Sequence, residues 1–200
     1  APIYIDFGPT SLSATPWNNI TSHQESSTSS WIKDAENNYT NIGVRVLGGF
    51  TATHAGVGSE PASPVTVDGV EFPLTAWKDG LLVRGEKNQG DVGPGRIEIS
   101  QLDAARKYNF TILAIRFNGS KDARISSYKL IGKTESAVKE VKTGIKDVAA
   151  FNTASFEEYI AKFENIEPDS EGKVIVEVKG LDTGSAAEGH INALCISLVK

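Results

Sequence analysis

A chain of 200 residues with 40% hydrophobic and 22% charged residues can bury a core, which excludes wholesale disorder. Its formal charge of −5 gives no bulk attraction to DNA, RNA or anionic lipid, so no nucleic-acid partner is expected. No aliphatic run nears the roughly 20 residues of a transmembrane segment, and the single cysteine, Cys195, excludes an intrachain disulfide.

The predicted elements are short and punctuated by Gly, Pro, Asn, Asp and Ser. The chain opens on Ala1 without a Met, as a processed product would. Residues 22–30 and 54–64 read as polar loops. Val65-Thr66-Val67 and Val70-Glu71-Phe72 flank Asp68-Gly69, a pair suited to a two-residue hairpin turn whose central residues need positive φ. Leu81–Val83 and Ile97–Ile99 follow as strands, then a long strand from Tyr108 to Phe117. Asn118-Gly119 turns the chain into a second long strand, Arg124 to Ile131. Phe156, Tyr159, Ile160 and Phe163 fit a helical face, with Ser155 and Glu158 resembling a capping box. The same residues also permit a strand. The strand is preferred, because it would pair through the Pro168–Gly172 loop with Lys173–Val178. Ile191 to Val199 closes the chain, with Leu194, Ile196 and Leu198 on one face and Ala193, Cys195 and Ser197 on the other. About ten strands at this spacing predict an all-β antiparallel sandwich, and residues 1–200 read as a single domain.

Enzyme signatures are mostly missing: no G-x-S-x-G elbow, no phosphate-binding glycine loop and no H-E-x-x-H helix. His23, His54 and His190 lack metal-ligand spacing, so His54 is expected at the surface and His190 at a solvated strand end. Glu98 and Glu177 sit in alternating strands and read as solvent-facing acids, not as a glycosidase pair. Loop Asp, Asn and carbonyl oxygens would suit a structural calcium ion, though no EF-hand spacing marks one, and no other cofactor is expected. Cys195, between Leu194 and Ile196, reads as a packed thiol. The Asn-x-Ser/Thr triplets at Asn19, Asn38, Asn109 and Asn118 fit chance in a Ser/Thr/Asn-rich chain.

The aromatic and amide residues carry the clearest chemical signal. Trp17-Asn18-Asn19, Trp31 and Trp77 fall in loop-like sequence. An indole offers a flat apolar face for a sugar ring, while Asn and Arg direct hydrogen bonds to hydroxyls. Each Trp taken singly also suits a plug for an open sandwich end. Arg116 and Arg124 flank the Asn118-Gly119 turn and could pair with Asp122 or support the Trp17-Asn18-Asn19 loop.

Longer stretches resemble a known family. These are Ile3-Tyr4-Ile5-Asp6-Phe7-Gly8, Thr15-Pro16-Trp17-Asn18-Asn19-Ile20-Thr21 and Gly95 to Asp103. They continue with Tyr108, Phe110, Thr111 and Arg116, then Arg124, Tyr128 and Gly132, then Asn152, Pro168 to Gly172 and Ile191 to Ile196. Together, in order, they resemble exported Bacteroidetes-type β-sandwich modules, which are similar to galactose-binding-like jelly rolls and accompany polysaccharide lyases, glycoside hydrolases or esterases. The resemblance implies a non-catalytic accessory role at the periplasm, the cell surface or outside the cell, with a polysaccharide or oligosaccharide as partner. Trp17, Asn18 and Asn19, with Trp77, Arg116 and Arg124, are then the expected ligand-binding residues. A protein-interaction module of a cell-surface assembly is the alternative, and a hydrolase or lyase ranks third.

Overall fold

The computed structural model describes residues 1–55, 64–86, 89–117, 124–145, 153–183 and 187–200. The chain begins with β1 (Ile3–Phe7), β2 (Asn18–Ile20), β3 (Thr28–Ser29), β4 (Gly43–Gly48) and β5 (Ala52–His54). A hairpin of β6 (Val65–Val67) and β7 (Val70–Phe72) leads into the short helix α1 (Leu74–Lys78) and β8 (Gly80–Arg84). Next come β9 (Val92–Ser100), β10 (Tyr108–Leu113), β11 (Arg116–Phe117) and β12 (Ile125–Ile131). The second half continues with β13 (Lys139–Lys142), β14 (Gly144–Ile145), β15 (Ile160–Ile166) and β16 (Val174–Leu181). It finishes with β17 (Glu188–Ile191) and β18 (Ala193–Leu198).

Two mainly antiparallel sheets face each other. One has the order β15-β10-β18-β1-β2 and the other β13-β12-β16-β9-β4-β3. Ile5, Phe7, Phe110, Ile112 and Leu194 from the first meet Val46, Ile97, Leu130, Val176 and Val178 from the second in one apolar core. This is the all-β sandwich that the strand spacing predicts. The opposite face of the five-stranded sheet is covered as well. Leu113, Ala193 and Cys195 pack there against Phe72, Trp77, Phe117 and Phe156 in a second core. The hairpin β6–β7, helix α1 and the paired β11 and β14 supply that outer layer.

Local chemistry accounts for several elements. Asp68 and Gly69 take φ of 50° and 76°, as the predicted hairpin requires. Gly8 has φ of 133°, and a Cβ there would sit 2.5 Å from the Asp79 carboxyl, so two separate demands select glycine. Cys195 is buried and its thiol is pushed up by desolvation, in keeping with a packed residue.

Four expectations need correction here. Residues 156–163 divide between a 3-10 helix, Thr153–Tyr159, and the strand β15, which pairs with β10 in the other sheet and not with β16. The expected strand Tyr108 to Phe117 breaks at Ala114 and Ile115, and the last strand breaks at Asn192. The two breaks have one cause. The buried Asn192 amide accepts from Ile115 N at 2.9 Å and donates to Ile115 O at 3.0 Å and Trp77 O at 3.1 Å. These bonds satisfy backbone groups that a continuous ladder would otherwise have paired. Glu177 is buried, not solvent-facing, and pairs with Arg96 at 2.9 Å and Lys129 at 3.6 Å. Asn118-Gly119, Asp122 and Asn152 lie outside the described residues, as do residues 56–63 of the expected loop 54–64.

Candidate functional site

The residues expected to bind ligand are dispersed and mostly committed to structure. Trp77 is fully buried on α1, 5.6 Å from the rings of both Phe117 and Phe156. Trp17 is buried against Tyr4 at 5.2 Å and Phe72 at 5.7 Å. Both indoles serve as second-core packing and offer no open stacking face. Asn19 exchanges two hydrogen bonds with the Ser13 backbone, at 2.9 and 3.0 Å. Asn18 donates to Tyr4 O at 2.9 Å and Lys33 O at 2.8 Å, and accepts from Lys33 N at 2.8 Å. Arg116 and Arg124 do come together, at the far end of the molecule.

The third tryptophan behaves differently. Trp31 is 69% exposed, and Tyr39 nearby is 74% exposed. Trp31 also holds φ at 59°, a left-handed conformation that costs a bulky residue on the order of 1–3 kcal/mol. The segment carrying both rings is well tied. Lys33 bridges Tyr39, Ile32 N donates to Ile42 O, and Thr40 N donates to Ile32 O. Asp34 Oδ1 accepts from Glu36 N and Asn38 N, and Ala35 N reaches Pro2 O at 2.7 Å. The Asn18 amide fastens Lys33 to β1, so the predicted Asn positions the exposed aromatics. Lys33 Nζ covers one face of the Tyr39 ring at 4.9 Å from its centroid. Pro2 and Tyr4 also border a cavity of about 330 Å³, shared with Asn109, Lys162 and Ser197. A rigid display of rings beside polar groups suits an amphipathic ligand such as a sugar.

The opposite end of the sandwich is charged. The register sets this polarity: Ile3 pairs with Ile196 and bridges Asp34, while Phe7 N reaches Asn192 O. Beyond Asn192, Glu188 lies buried between Arg84 Nε at 2.9 Å, Arg124 Nη1 at 3.2 Å and His190 Nε2 at 3.3 Å. Burial alone would raise this carboxyl, but the His190 ring and the two guanidiniums outweigh it and hold it at about 2. His190 is fully buried, with Nδ1 3.2 Å from Thr143 Oγ1 and its ring 5.1 Å from His54. Desolvation pushes both histidines down, which keeps them neutral at pH 7. Neither is the surface or strand-end residue expected of it. Arg116 Nη1 donates to Ala55 O at 2.7 Å. No sequence motif marks this cluster, since its members are gathered from β5, β8, β11, the residue before β12, and β17.

Two further carboxyls, Asp6 and Asp79, are buried near the C-terminal end of β1. Desolvation raises Asp6 to about 7, with the neighbouring Asp79 adding to it and hydrogen bonds from Ser13 opposing. Among the described residues no group of three or more His, Cys, Asp or Glu side chains gathers that could hold a metal ion. No helix among them is long and apolar enough to cross a membrane.

No protein-family model and no curated protein matches the chain. Among solved structures it is similar to the ANXUR2 extracellular domain from Arabidopsis thaliana, with TM-score 0.51 and 9% identity, covering 100% of this chain and 48% of that one. The ANX2 ectodomain from the same plant gives TM-score 0.50 and 9% identity over 78% of this chain and 42% of that one. TmCBM61, solved in complex with β-1,4-galactotriose, is a looser likeness at TM-score 0.41 and 12% identity, covering 80% of this chain and 90% of that one. The chain thus spans less than half of each plant ectodomain, and at such identities the likeness is one of β-sandwich fold alone.

Proposed function

We propose that the chain is a non-catalytic carbohydrate-binding module, with Trp31 and Tyr39 as its stacking surface. One observation carries the reading: a tryptophan 69% exposed and held at positive φ by a hydrogen-bonded segment. Exposure of so large an apolar ring wastes burial energy, and the backbone strain adds to it, unless a ligand covers the ring. The cavity bordered by Pro2 and Tyr4 gives polar groups for hydroxyls at the same end. The sequence resemblance supports an exported setting, in the periplasm, at the cell surface or outside the cell, as an accessory to a polysaccharide-degrading enzyme.

The test is calorimetry against a panel of neutral plant and host oligosaccharides, for the wild type, Trp31→Ala and Tyr39→Ala. Saturable binding that falls at least about tenfold in Trp31→Ala, with unchanged melting temperature, is expected; tenfold corresponds to about 1.4 kcal/mol. Absence of binding to every sugar, or equal binding by both variants, would overturn the reading. Capture of an envelope protein that sugars fail to displace would point instead to a protein-interaction module.

A further inference from the structure

A guanidinium that loses much of its hydration needs an anion or several carbonyls in exchange. Among the described residues Arg116 has neither. It is only partly exposed, donates to a single carbonyl among them, and its Nε is buried with no hydrogen-bond partner there. Among the described residues no carboxylate stands within ion-pair distance of it. Glu188 is the nearby acid, and it is already committed to Arg84, Arg124 and His190. Among the described residues the guanidiniums of Arg84, Arg116 and Arg124 all feel the Glu188 carboxylate, and the buried histidines add no negative charge. Burial pushes the Arg116 guanidinium down, and Arg124 and Arg84 act in the same direction, against the pull of Glu188.

We propose that Arg116 and Arg84 together bind a carboxylate borne by a small ligand at the charged end of the sandwich. Arg84 is anchored through Nε to Glu188, and its side chain is 51% exposed, so the guanidinium has a fixed base and remains accessible to a ligand. A guanidinium fork matches the two oxygens of a carboxylate, which a hydroxyl or a lone carbonyl cannot do. Glu188 is then a positioning residue, setting the donors of Arg84 without touching the ligand. This site stands apart from the Trp31 surface, at the other end of β1. A sugar acid and a free organic acid share the chemistry.

The experiment titrates the nitrogen-15-labelled 200-residue chain with galacturonate, with galactose as the neutral counterpart, and with acetate and succinate as free acids. The arginine Nε–H signals are followed. Galacturonate is expected to shift the Arg116 and Arg84 signals saturably while galactose leaves them in place. Arg116→Gln is expected to lower galacturonate affinity at least tenfold, with neutral-sugar binding at Trp31 unchanged. Equal response to acetate and succinate would assign the site to free organic acids, whereas a tighter response to galacturonate would assign it to a sugar acid. Arg84→Gln, at a more exposed position, gives a second variant should Arg116→Gln fail to fold. The proposal is overturned if no carboxylate shifts either signal, or if both variants bind galacturonate like the wild type. Loss of neutral-sugar binding in Trp31→Ala alone leaves this site standing, so the two readings fail separately.

Discussion

The two ends of the sandwich use their side chains in opposite ways. At the Trp31 end the backbone does the fixing, through the Asn18 clamp and the Asp34 turn, and the aromatic side chains are left over for the solvent. At the Glu188 end the side chains fix one another, because Arg84, Arg124 and His190 all depend on one buried carboxylate. The first arrangement separates recognition from stability, so rings there can change without unfolding the chain. The second joins them, since a binding arginine belongs to the same charge network that holds the end together.

Four substitutions sharpen or break that contrast. Glu188→Ala should have the largest effect, about 3 kcal/mol or more in denaturant unfolding, because it removes the buried anion that Arg84, Arg124 and His190 share. A loss below about 1 kcal/mol would mean that the charged end is not coupled as described. The same carboxyl predicts an acid limit. Its folded value of about 2 lies below the unfolded one, so its contribution is present above the unfolded value and is lost as pH falls toward 2. Asn18→Ala should follow, at about 2 kcal/mol for one lost acceptor and two lost donor bonds. Hydrogen exchange at the Lys33 amide should then accelerate, and an unchanged rate would remove the clamp from the account.

Asp6→Asn tests by pH the buried acids at the C-terminal end of β1. Asp6 is raised to about 7, so its contribution is fully present below the unfolded value and is lost as pH rises from there through 7. The variant should therefore melt close to the wild type near pH 4 and a few degrees above it at pH 8, in parallel thermal scans. A difference of the same size at both values would show that the proton plays no part. Trp31→Ala should have the smallest effect, within about 0.5 kcal/mol, because an exposed side chain gives up little packing. A loss above about 1 kcal/mol would make Trp31 structural and dissolve the contrast.

Local chemistry was legible in the sequence, and distant partners were not. Asp68-Gly69 announces its turn because the two residues satisfy the positive φ themselves. Ile97 and Ile99, and Val174, Val176 and Val178, are buried at alternate positions and read directly. The break after Leu113 was hidden because its cause, the Asn192 amide, lies 77 residues from Ile115. The pairing of β15 is hidden for the same reason: its partner is β10, not the strand next along the chain. The three tryptophans looked alike because a loop Trp can plug or protrude. Only the second core, which covers the outer face of the five-stranded sheet, separates buried Trp17 and Trp77 from exposed Trp31. Arg116 and Arg124 were singled out by sequence, but Glu188, which organises the charged end, carried no local signal.

The pairing of β1 with β18 has a consequence for how the molecule forms. Of these strands β1 is synthesised first, yet it takes its antiparallel partner from residues 193–196, and that partner also supplies the neighbour of β10. The middle of the five-stranded sheet therefore stays open until nearly all of this sequence has been made. Closing so long a loop is slow, because its entropy is lost before any contact repays it. Until β18 arrives, Ile3, Ile5 and Phe7 present an unpaired apolar edge, the kind of surface that recruits chaperones or neighbouring chains.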